Sequence, residues 1–286
     1  DSDSSSFDSV QWEQSLDGGT SWTDVVEILN NFEGQNSSDL QILNASTSTS
    51  NTIFRARLER IDYICGPVYS TQVNIIVNTT PTANAVLDIA ICDDNNDGVN
   101  SFDFIADVTP TVLGTQDPLG FSVTYHPTQA DADDNTNAYA IPYSNTLSQE
   151  SVFVRIENVE NTTCYDTTSF VIEVFDTPVI AAINDLQNCD DGTDGDLTNG
   201  QTETDLSALT AVVLGSQDTT LFNVSYHLDT TDADAGANAL PLTYYNTTAF
   251  NQTLFVRIEN TTNTNCYITE QFNIIVNTTP TANAVL

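Results

Sequence analysis

Apolar and polar residues alternate in short runs along the chain, and long helical periodicity is missing. In SVFVRIEN (151–158), Val152, Val154 and Ile156 share one face, and the charged side chains fall on the other. Alternation of this length is typical of a half-buried strand. A nearly identical run, LFVRIEN, returns at 254–260. The pattern therefore predicts an all-β protein.

The segment from 80 to 178 contains about seven strand candidates separated by turn signals. Seven short strands in roughly 100 residues fit a Greek-key sandwich of the immunoglobulin type. The candidates are TANAVLDIAI, SFDFIAD, FSVTYH, a short piece near AIPY, NTLSQ, SVFVRIEN and TTSFVIEVF. The segments TPTVLG and LSALTAVVLG are alternatives for a single helical turn. We also expect capped helical turns, in preference to a metal site, after Thr128 and Thr230, which stand at N-cap positions before Asp-rich segments.

One stretch occurs twice without a difference, NIIVNTTPTANAVL at 74–87 and 273–286. A weaker echo, EVFDTPVIAA, lies roughly halfway between the copies, so Pro81, Pro178 and Pro280 mark the same junction three times. This arrangement predicts immunoglobulin-like β-sandwiches in a linear array. The predicted modules are 1–79, which we expect to lack its first strands, then the repeats 80–178 and 179–279, and 280–286 as the first strand of a following repeat.

The two complete repeats correspond along their whole length. LGTQD at 113–117 matches LGSQD at 214–218, and VTYH at 123–126 matches VSYH at 224–227. The offset between the copies grows from 97 at the first cysteine to 102 at VRIEN. Small insertions in loops with strands kept in register are what a β-sandwich tolerates.

The charge balance is strongly acidic, with a formal net charge of −35, five cationic residues and no Lys. Such a surface repels nucleic acid and anionic lipid, so neither is an expected partner. It would attract divalent cations and favour solubility. No apolar run approaches the ~20 residues that span a membrane, so we expect no direct membrane insertion.

Five cysteines in an acidic β-array suggest an exported protein with structural disulfides. Their equal places in the repeats favour bonds within each module, Cys92–Cys164 and Cys189–Cys266. Each would contribute ~3–4 kcal/mol by chain-entropy estimates. Cys65 aligns with Cys164 and Cys266, and we expect its partner before residue 1. A zinc site is the alternative, but neither CxxC nor a paired-His spacing supports it.

The acidic loops after Cys92 and Cys189 resemble the opening of a calcium loop. CDDNNDGVNSFD (92–103) has the DxNxDG spacing, in which alternate residues direct oxygens inward, although the closing Glu of an EF-hand is absent. An Asx-rich turn without an ion is the alternative. The predicted Ca²⁺ ligands are Asp93, Asn95, Asp97 and Asp103 in one repeat and Asp190, Asp194 and Asp196 in the other.

Other polar residues suggest structure rather than catalysis. His126 and His227 follow a strand Tyr without a nearby Ser or Cys nucleophile, so we expect them to pack inside the fold. Arg155 and Arg257 are the cations of their repeats and are expected to pair with a carboxylate rather than to bind glycan. No P-loop, GxSxG or HExxH motif is present. We therefore expect no enzyme activity.

Two patterns resemble known families. WEQSLDGGTSW (12–22) resembles immunoglobulin-like repeats of large bacterial surface proteins, in which such a Trp packs the core. The combination CDDxxDG, VLGxQD, VxYH, DADA, VRIEN, CY and TP resembles tandem repeats of very large surface proteins of gliding bacteria, many exported by the type nine secretion route, with gliding-motility adhesins as the best-known members. This resemblance implies an extracellular, cell-surface adhesin or filament stiffened by disulfides and Ca²⁺. Its expected partners are neighbouring repeats of the same chain, and the candidates beyond the chain are surface polysaccharide and other cell-surface proteins.

Two other functions fit the sequence. A carbohydrate-binding module array would present exposed aromatic side chains in every repeat. The candidates for that role are Tyr125, Tyr143, Tyr165, Tyr226, Tyr244 and Tyr267. A sheath or filament subunit that assembles laterally is the third hypothesis.

Overall fold

The computed structural model describes residues 7–28, 31–60, 65–192 and 195–280, and strands dominate all three modules. The first module contains β1 (Ser9–Ser15), β2 (Thr23–Asp24), β3 (Phe32–Glu33), β4 (Gln41–Ile42), β5 (Ile53–Glu59), β6 (Val68–Tyr69) and β7 (Val73–Asn74), with a 3-10 turn at Thr47–Thr49. The second contains β8 (Ile89–Asp93), β9 (Ser101–Phe102), β10 (Phe121–His126), β11 (Tyr143–Ser144), β12 (Gln149–Asn158) and β13 (Tyr165–Asp176), with helices α1 (Phe104–Asp107), α2 (Thr109–Leu113) and α3 (Gln129–Asp134). The third contains β14 (Leu186–Cys189), β15 (Glu203–Asp205), β16 (Phe222–His227), β17 (Thr243–Tyr245), β18 (Asn251–Asn260) and β19 (Tyr267–Asn277), with α4 (Ser207–Leu214) and α5 (Thr230–Ala235).

Both complete repeats have the same sheet topology. In the second module a four-stranded sheet has the order β10-β12-β13-β8, and β9 pairs with β11 in a second sheet. The third module repeats this arrangement as β16-β18-β19-β14 and β15-β17. The first strand of each repeat runs parallel to its last strand, and the other pairs are antiparallel. This is the two-sheet arrangement of an immunoglobulin-like sandwich, and it confirms the predicted all-β fold.

The core of each repeat lies under the apolar face of its central strand. Val152, Val154 and Ile156 of β12 are fully buried, as the alternation predicts. Opposite them, α1 and α2 contribute the buried side chains of Phe104 and Val112. TPTVLG is therefore helical, and LSALTAVVLG supplies the eight-residue α4. These short helices fill the space between the two sheets.

The predicted helical turns after VTYH and VSYH are present. The Thr128 hydroxyl caps α3 by accepting a hydrogen bond from the Asp131 amide at 3.1 Å. In the third module the prediction of Thr230 as cap is wrong by one residue. Asp229 is the N-cap, and its carboxylate accepts from the Asp232 amide at 2.9 Å. Asp229 follows His227 by two residues, as Thr128 follows His126, so an aspartate, another good N-cap residue, stands at the position equivalent to Thr128.

The histidine that ends each edge strand is fully buried and has a partner on both ring nitrogens. His126 Nδ1 lies 2.6 Å from the Thr136 carbonyl oxygen, so this nitrogen donates. Nε2 then accepts from the Thr124 hydroxyl at 2.8 Å. His227 makes equivalent contacts in the third module. The expectation of structural histidines is confirmed.

Each repeat has one buried arginine, and its partners explain the VRIEN motif. Arg155 Nε donates to Glu157 at 2.7 Å, which confirms the expected carboxylate partner. Its other guanidinium nitrogens donate to the carbonyl oxygens of Ala132, Asp133 and Thr162, at the end of α3 and in the β12–β13 turn. Arg257 repeats every contact. Because these side chains are about 4% exposed, they join elements of the fold and do not face a ligand.

The first module is built around one larger sheet, in which β1 and β5 pair along their full lengths. Arg55 on β5 lies between the rings of Trp22 and Tyr69, 3.9 Å from each centroid, and pairs with buried Glu13. Trp12 is half-buried, and its indole N–H donates to the Ser37 carbonyl. Throughout the described part of the chain, no helix is long and apolar enough to cross a membrane.

Candidate functional site at the junction between repeats

A disulfide joins the second and third repeats. Cys92, near the end of β8, is bonded to Cys266, which directly precedes β19, and their Cα atoms lie 5.4 Å apart. The two residues are separated by 174 positions in the sequence. Cys266 is 1% exposed, so the bridge lies within the packed junction.

The predicted pairs Cys92–Cys164 and Cys189–Cys266 are therefore wrong. Cys92 lies opposite Phe175, close to the end of parallel strand β13, whereas Cys164 directly precedes the start of that strand. Eleven residues at ~3.3 Å each place the two cysteines about 36 Å apart, and a disulfide requires Cα atoms within about 7 Å.

The same geometry separates Cys189 from Cys266 in the third repeat, because Cys189 lies opposite Asn277 near the end of β19. Cys164 and Cys189 are free thiols, and so is exposed Cys65. The prediction that Cys65 pairs upstream of residue 1 is not tested. In each repeat, then, one cysteine lies near the following repeat and the other lies near the preceding one.

The linker between the bridged repeats is held on both sides by amide side chains. Asn96 of the second repeat makes two hydrogen bonds to Thr177, accepting from its N–H at 2.8 Å and donating to its carbonyl at 2.9 Å. From the third repeat, Asn260 donates to the Asp176 carbonyl at 3.1 Å. Pro178 is buried between these contacts. The linker is thus bonded to both of the modules that it joins.

The LGSQD motif holds the residue that follows the proline. Gln217 accepts from the Val179 N–H at 2.9 Å and donates to its carbonyl at 2.6 Å. Gly215 allows this close approach, because its φ is +58° and an added Cβ would lie 2.7 Å from the Ala181 side chain. The sequence showed the motif as a repeat marker, but its linker contact was missed.

The junction between the first module and the second repeat uses equivalent contacts. Asn158 donates to the Thr79 carbonyl at 3.0 Å, and Gln116 makes two hydrogen bonds to Thr82 at 2.9 and 2.7 Å. Pro81 is buried like Pro178. We call the Asn–Gln pair of each following repeat (Asn158 with Gln116, and Asn260 with Gln217) the linker clamp. Its reuse at both junctions shows that it belongs to the repeat.

The predicted calcium residues of the second repeat form turns and a helix cap. The buried Asp93 carboxylate accepts from the backbone N–H groups of Asn95, at 3.1 Å, and Gly98, at 2.6 Å. Asp97 accepts from the Asn95 side-chain amide and from a backbone N–H. Asp103 caps α1 through the Ala106 amide at 3.1 Å. The loop therefore satisfies its carboxylates internally and holds Asn96 against the linker.

The third repeat follows the same principle. Buried Asp190 accepts from the N–H groups of Gly192, at 3.5 Å, and Gly200, at 2.7 Å, and Asp196 accepts from Thr198. The predicted ligand Asp194 lies outside the described residues. Within the described ranges, no three His, Cys, Asp or Glu side chains are grouped to hold a metal ion. Calcium binding stays a prediction.

The tyrosines that a glycan-binding surface would need lie mostly inside the fold. Tyr125 and Tyr226 are buried, and burial raises the pKa of Tyr125 to about 12. Tyr244 is also buried. Tyr165 and Tyr267 lie against the guanidinium groups of Arg155 and Arg257, with 3.7 Å between the guanidinium carbon and the ring centroid. Half-buried Tyr143 donates to Glu150. These side chains do not form an exposed aromatic platform.

The fold and the junction define a class of protein: tandem immunoglobulin-like domains in which a disulfide joins one repeat to the next. A family model agrees with this description over residues 88–178 and 185–280. The chain belongs to the family of the Flavobacterium inter-domain disulphide bond domain. Residues 2–79 match a second model, which describes a domain of unknown function.

Comparison with solved structures finds multi-domain proteins of low sequence identity. Domains 3–5 of the Drosophila OTK extracellular region share 11% identity, with 94% of this chain and 85% of that chain covered at a TM-score of 0.28. Domains FN1–FN3 of chicken CNTN1 share 10% identity, with coverages of 94% and 90% and a TM-score of 0.31. No curated protein sequence matches the chain significantly. Because the TM-scores are low, the fold assignment rests on the sheets of this chain.

Proposed function

We propose that the chain is a stalk segment of a large exported adhesin or filament at the bacterial cell surface. The observation that carries this proposal is the Cys92–Cys266 bond between successive repeats. A bond inside one sandwich stabilises that sandwich alone. A bond between sandwiches also restricts their relative rotation, which is what a spacer that maintains reach requires.

The linker contacts support the same role. Interdomain motion is the default where a flexible linker joins two domains. Here the linker clamp and Asn96 hydrogen-bond the residues on either side of a buried proline, whose ring also fixes φ. Neighbouring repeats of the same chain are therefore the partners of each module.

The chemistry of the chain suits an extracellular location. Disulfides persist in oxidising compartments, and a net charge of −35 without Lys favours solubility at high local concentration. The resemblance to surface proteins of gliding bacteria extends the proposal to surface attachment during gliding and to export by the type nine route. Nucleic-acid binding and direct membrane insertion are not part of it.

We propose further that this segment has no catalytic role. Both histidines and both repeat arginines are engaged in contacts that organise the fold. Against the carbohydrate-binding alternative, Tyr125, Tyr226 and Tyr244 are buried in the core, and Tyr165 and Tyr267 lie against the repeat arginines. Lateral assembly through edge strands β10 and β16 is also disfavoured, because the Tyr125 and Tyr226 carbonyls on those edges accept hydrogen bonds from Tyr139 and Leu240 of their own repeats.

Small-angle X-ray scattering of the oxidised chain tests the stalk role. We expect an extended particle, and a broader distribution of interdomain distances in the Cys92→Ser, Cys266→Ser double variant. The double variant Cys164→Ser, Cys189→Ser keeps the bridge and serves as the matched control. Antibody labelling of intact producing cells tests the location. A compact particle, or labelling that requires permeabilised cells, would contradict the proposal.

A further inference from the structure

The first and last strands of each repeat are parallel neighbours. β8 pairs with β13 from Ile89 opposite Ile172 to Asp93 opposite Asp176. β14 pairs with β19 in the same way in the third repeat. Both strands of a pair therefore run from the preceding junction toward the following one.

The disulfide connects these strands across the junction. Cys92 lies one residue before the end of β8, and Cys266 lies one residue before the start of β19. A covalent path thus runs along the first strand of the second repeat and continues directly into the last strand of the third. It bypasses residues 93–265, which include most of both sandwiches.

We propose that this bridge diverts tension around the folded bodies, so that the repeats carry load along their first and last strands without unfolding. The inference rests on the proposed stalk function, which supplies the load. Where the bond pattern continues along an array, Cys164 and Cys189 take the roles of Cys266 and Cys92. Strands β13 and β14, joined by the linker, then form part of a second covalent path.

The two paths would run side by side through every module. In the second repeat β8 belongs to one path and β13 to the other, and their parallel pairing places both under tension in the same direction. The hydrogen bonds between them then bear little shear. Each module contributes one strand to each path, so two covalent paths would run in parallel along the array.

The difference in length makes the bypass measurable. From residue 80 to residue 280 the bridged path contains about 28 residues, which span at most ~95 Å at ~3.4 Å per residue. Without the bridge, the same interval contains about 200 residues and extends to ~680 Å. The bridge therefore limits extension about sevenfold.

Single-molecule force spectroscopy on the 286-residue chain, tethered through its two ends, tests the proposal. We expect no unfolding steps from the second and third repeats in the oxidised chain. The first module lies outside the bridged loop and supplies an internal reference step. The Cys92→Ser, Cys266→Ser variant should add two steps of roughly 280 Å each, from about 90 residues per sandwich at ~3.5 Å minus the folded length.

Reduction of the unmodified chain on the same tether should reproduce the two added steps without a substitution. The Cys164→Ser, Cys189→Ser variant keeps the bridge and should behave like the oxidised chain. Release of either sandwich while the bridge is intact would overturn the bypass. A failed surface-labelling experiment would contradict the proposed stalk function and leave these traces unchanged, so the two outcomes are distinguishable.

Discussion

The two junctions of the chain share one linker clamp and differ in covalent bonding. Asn158 holds the Thr79 carbonyl at the first junction as Asn260 holds the Asp176 carbonyl at the second, with donor–acceptor distances of 3.0 and 3.1 Å. Only the second junction contains a disulfide among the described residues. Hydrogen bonds therefore hold the linker at both junctions. At the second junction the Cys92–Cys266 bond also joins the two repeats covalently.

The two junctions also differ in how the module on the N-terminal side contacts the linker or the next module. At the second junction the acidic loop places Asn96 on Thr177. At the first junction a cleft of about 320 Å³ separates Thr47 of the first module from Leu119 of the second repeat. The acidic loop of the second repeat is therefore part of the second junction, where Asn96 hydrogen-bonds the linker.

Of the changes that distinguish the two junctions, removal of the Cys92–Cys266 disulfide should have the largest effect on stability. The Cys92→Ser, Cys266→Ser variant is expected to lose about 5 kcal/mol of unfolding free energy from the second and third repeats, because closing a long loop restricts the unfolded chain. The bridged pair should also lose its cooperativity and unfold in two steps. Guanidinium titration followed by fluorescence and circular dichroism measures both changes.

The matched control for this experiment is Cys164→Ser with Cys189→Ser, which removes the free thiols and leaves the bridge. We expect its unfolding curve to match that of the unmodified chain. If the control loses as much stability as the bridge variant, the Cys92–Cys266 bond does not couple the two repeats.

The linker clamp should have the next largest effect, and it should differ between the junctions. Asn158→Ala and Asn260→Ala each leave backbone groups without a partner, so each is expected to cost about 1–3 kcal/mol. Asn158→Ala should also broaden the interdomain distances at its junction more than Asn260→Ala, because the second junction retains its disulfide. Spin-label distance measurements across each junction compare the two variants.

Asn158→Asp separates the linker contact from the local turn. The carboxylate can still accept from the N–H groups of Glu160 and Asn161, but it cannot donate to the Thr79 carbonyl. We expect this variant to keep most of the repeat's stability and to show the broadened distances. Equal broadening in Asn158→Ala and Asn260→Ala would contradict the assigned role of the bridge.

Acid should destabilise the second repeat through a residue that the third repeat lacks. Burial alone would raise the pKa of Glu150, but hydrogen bonds from Tyr143, Thr146 and Leu147 outweigh it and hold the pKa below its ordinary value of 4.5. The contribution of a carboxylate with a lowered pKa is present above that ordinary value and is lost as pH falls through the folded-state pKa. The equivalent residue in the third repeat is Gln252, which donates to Tyr244 at 2.9 Å and does not titrate in this range.

The measurement is thermal unfolding of the unmodified chain and of Glu150→Gln between pH 7 and pH 2. We expect the difference in stability between them to shrink or reverse on acidification, since Gln252 shows that an amide fits this site. The third repeat should show no matching change with Gln252→Ala. A constant difference across the pH range would contradict the role of the Glu150 carboxylate.

The fold was predictable because strand alternation and repeat spacing are local properties of the sequence. The buried face formed by Val152, Val154 and Ile156 is visible within five consecutive residues, and the cap formed by Thr128 involves an amide only three residues away. The disulfide was not predictable in the same way. Spacing places Cys92 and Cys164 in the same repeat but does not state that they lie at opposite ends of parallel strands.

The linker clamp was missed for a related reason. Gln116 stands in a visible repeat motif, but its partner Thr82 is 34 residues away, and Asn158 reaches Thr79 over 79 residues. The available signal was that the same Asn and Gln recur at matching positions of both repeats. The acidic loop is a different case, because a spacing that suits calcium also suits the turns that Asp93 forms with Asn95 and Gly98, and the sequence alone does not choose between them.

Chelation of divalent cations should have the smallest effect on either junction. The Asp93 and Asp190 carboxylates are buried and accept hydrogen bonds from N–H groups, so they need no ion to be satisfied. Calorimetry with EDTA or with added Ca²⁺ is therefore expected to shift the melting temperature by less than about 2 °C, corresponding to under ~1 kcal/mol. A larger Ca²⁺-dependent rise would support the calcium prediction and would mean that these loops rearrange to bind the ion.

The Asn96→Ala variant separates a role of the acidic loop in the joint from a role in calcium binding, because it removes the linker contact and none of the predicted ligands. If the acidic loop acts through the joint, this variant should widen the interdomain distances with or without Ca²⁺.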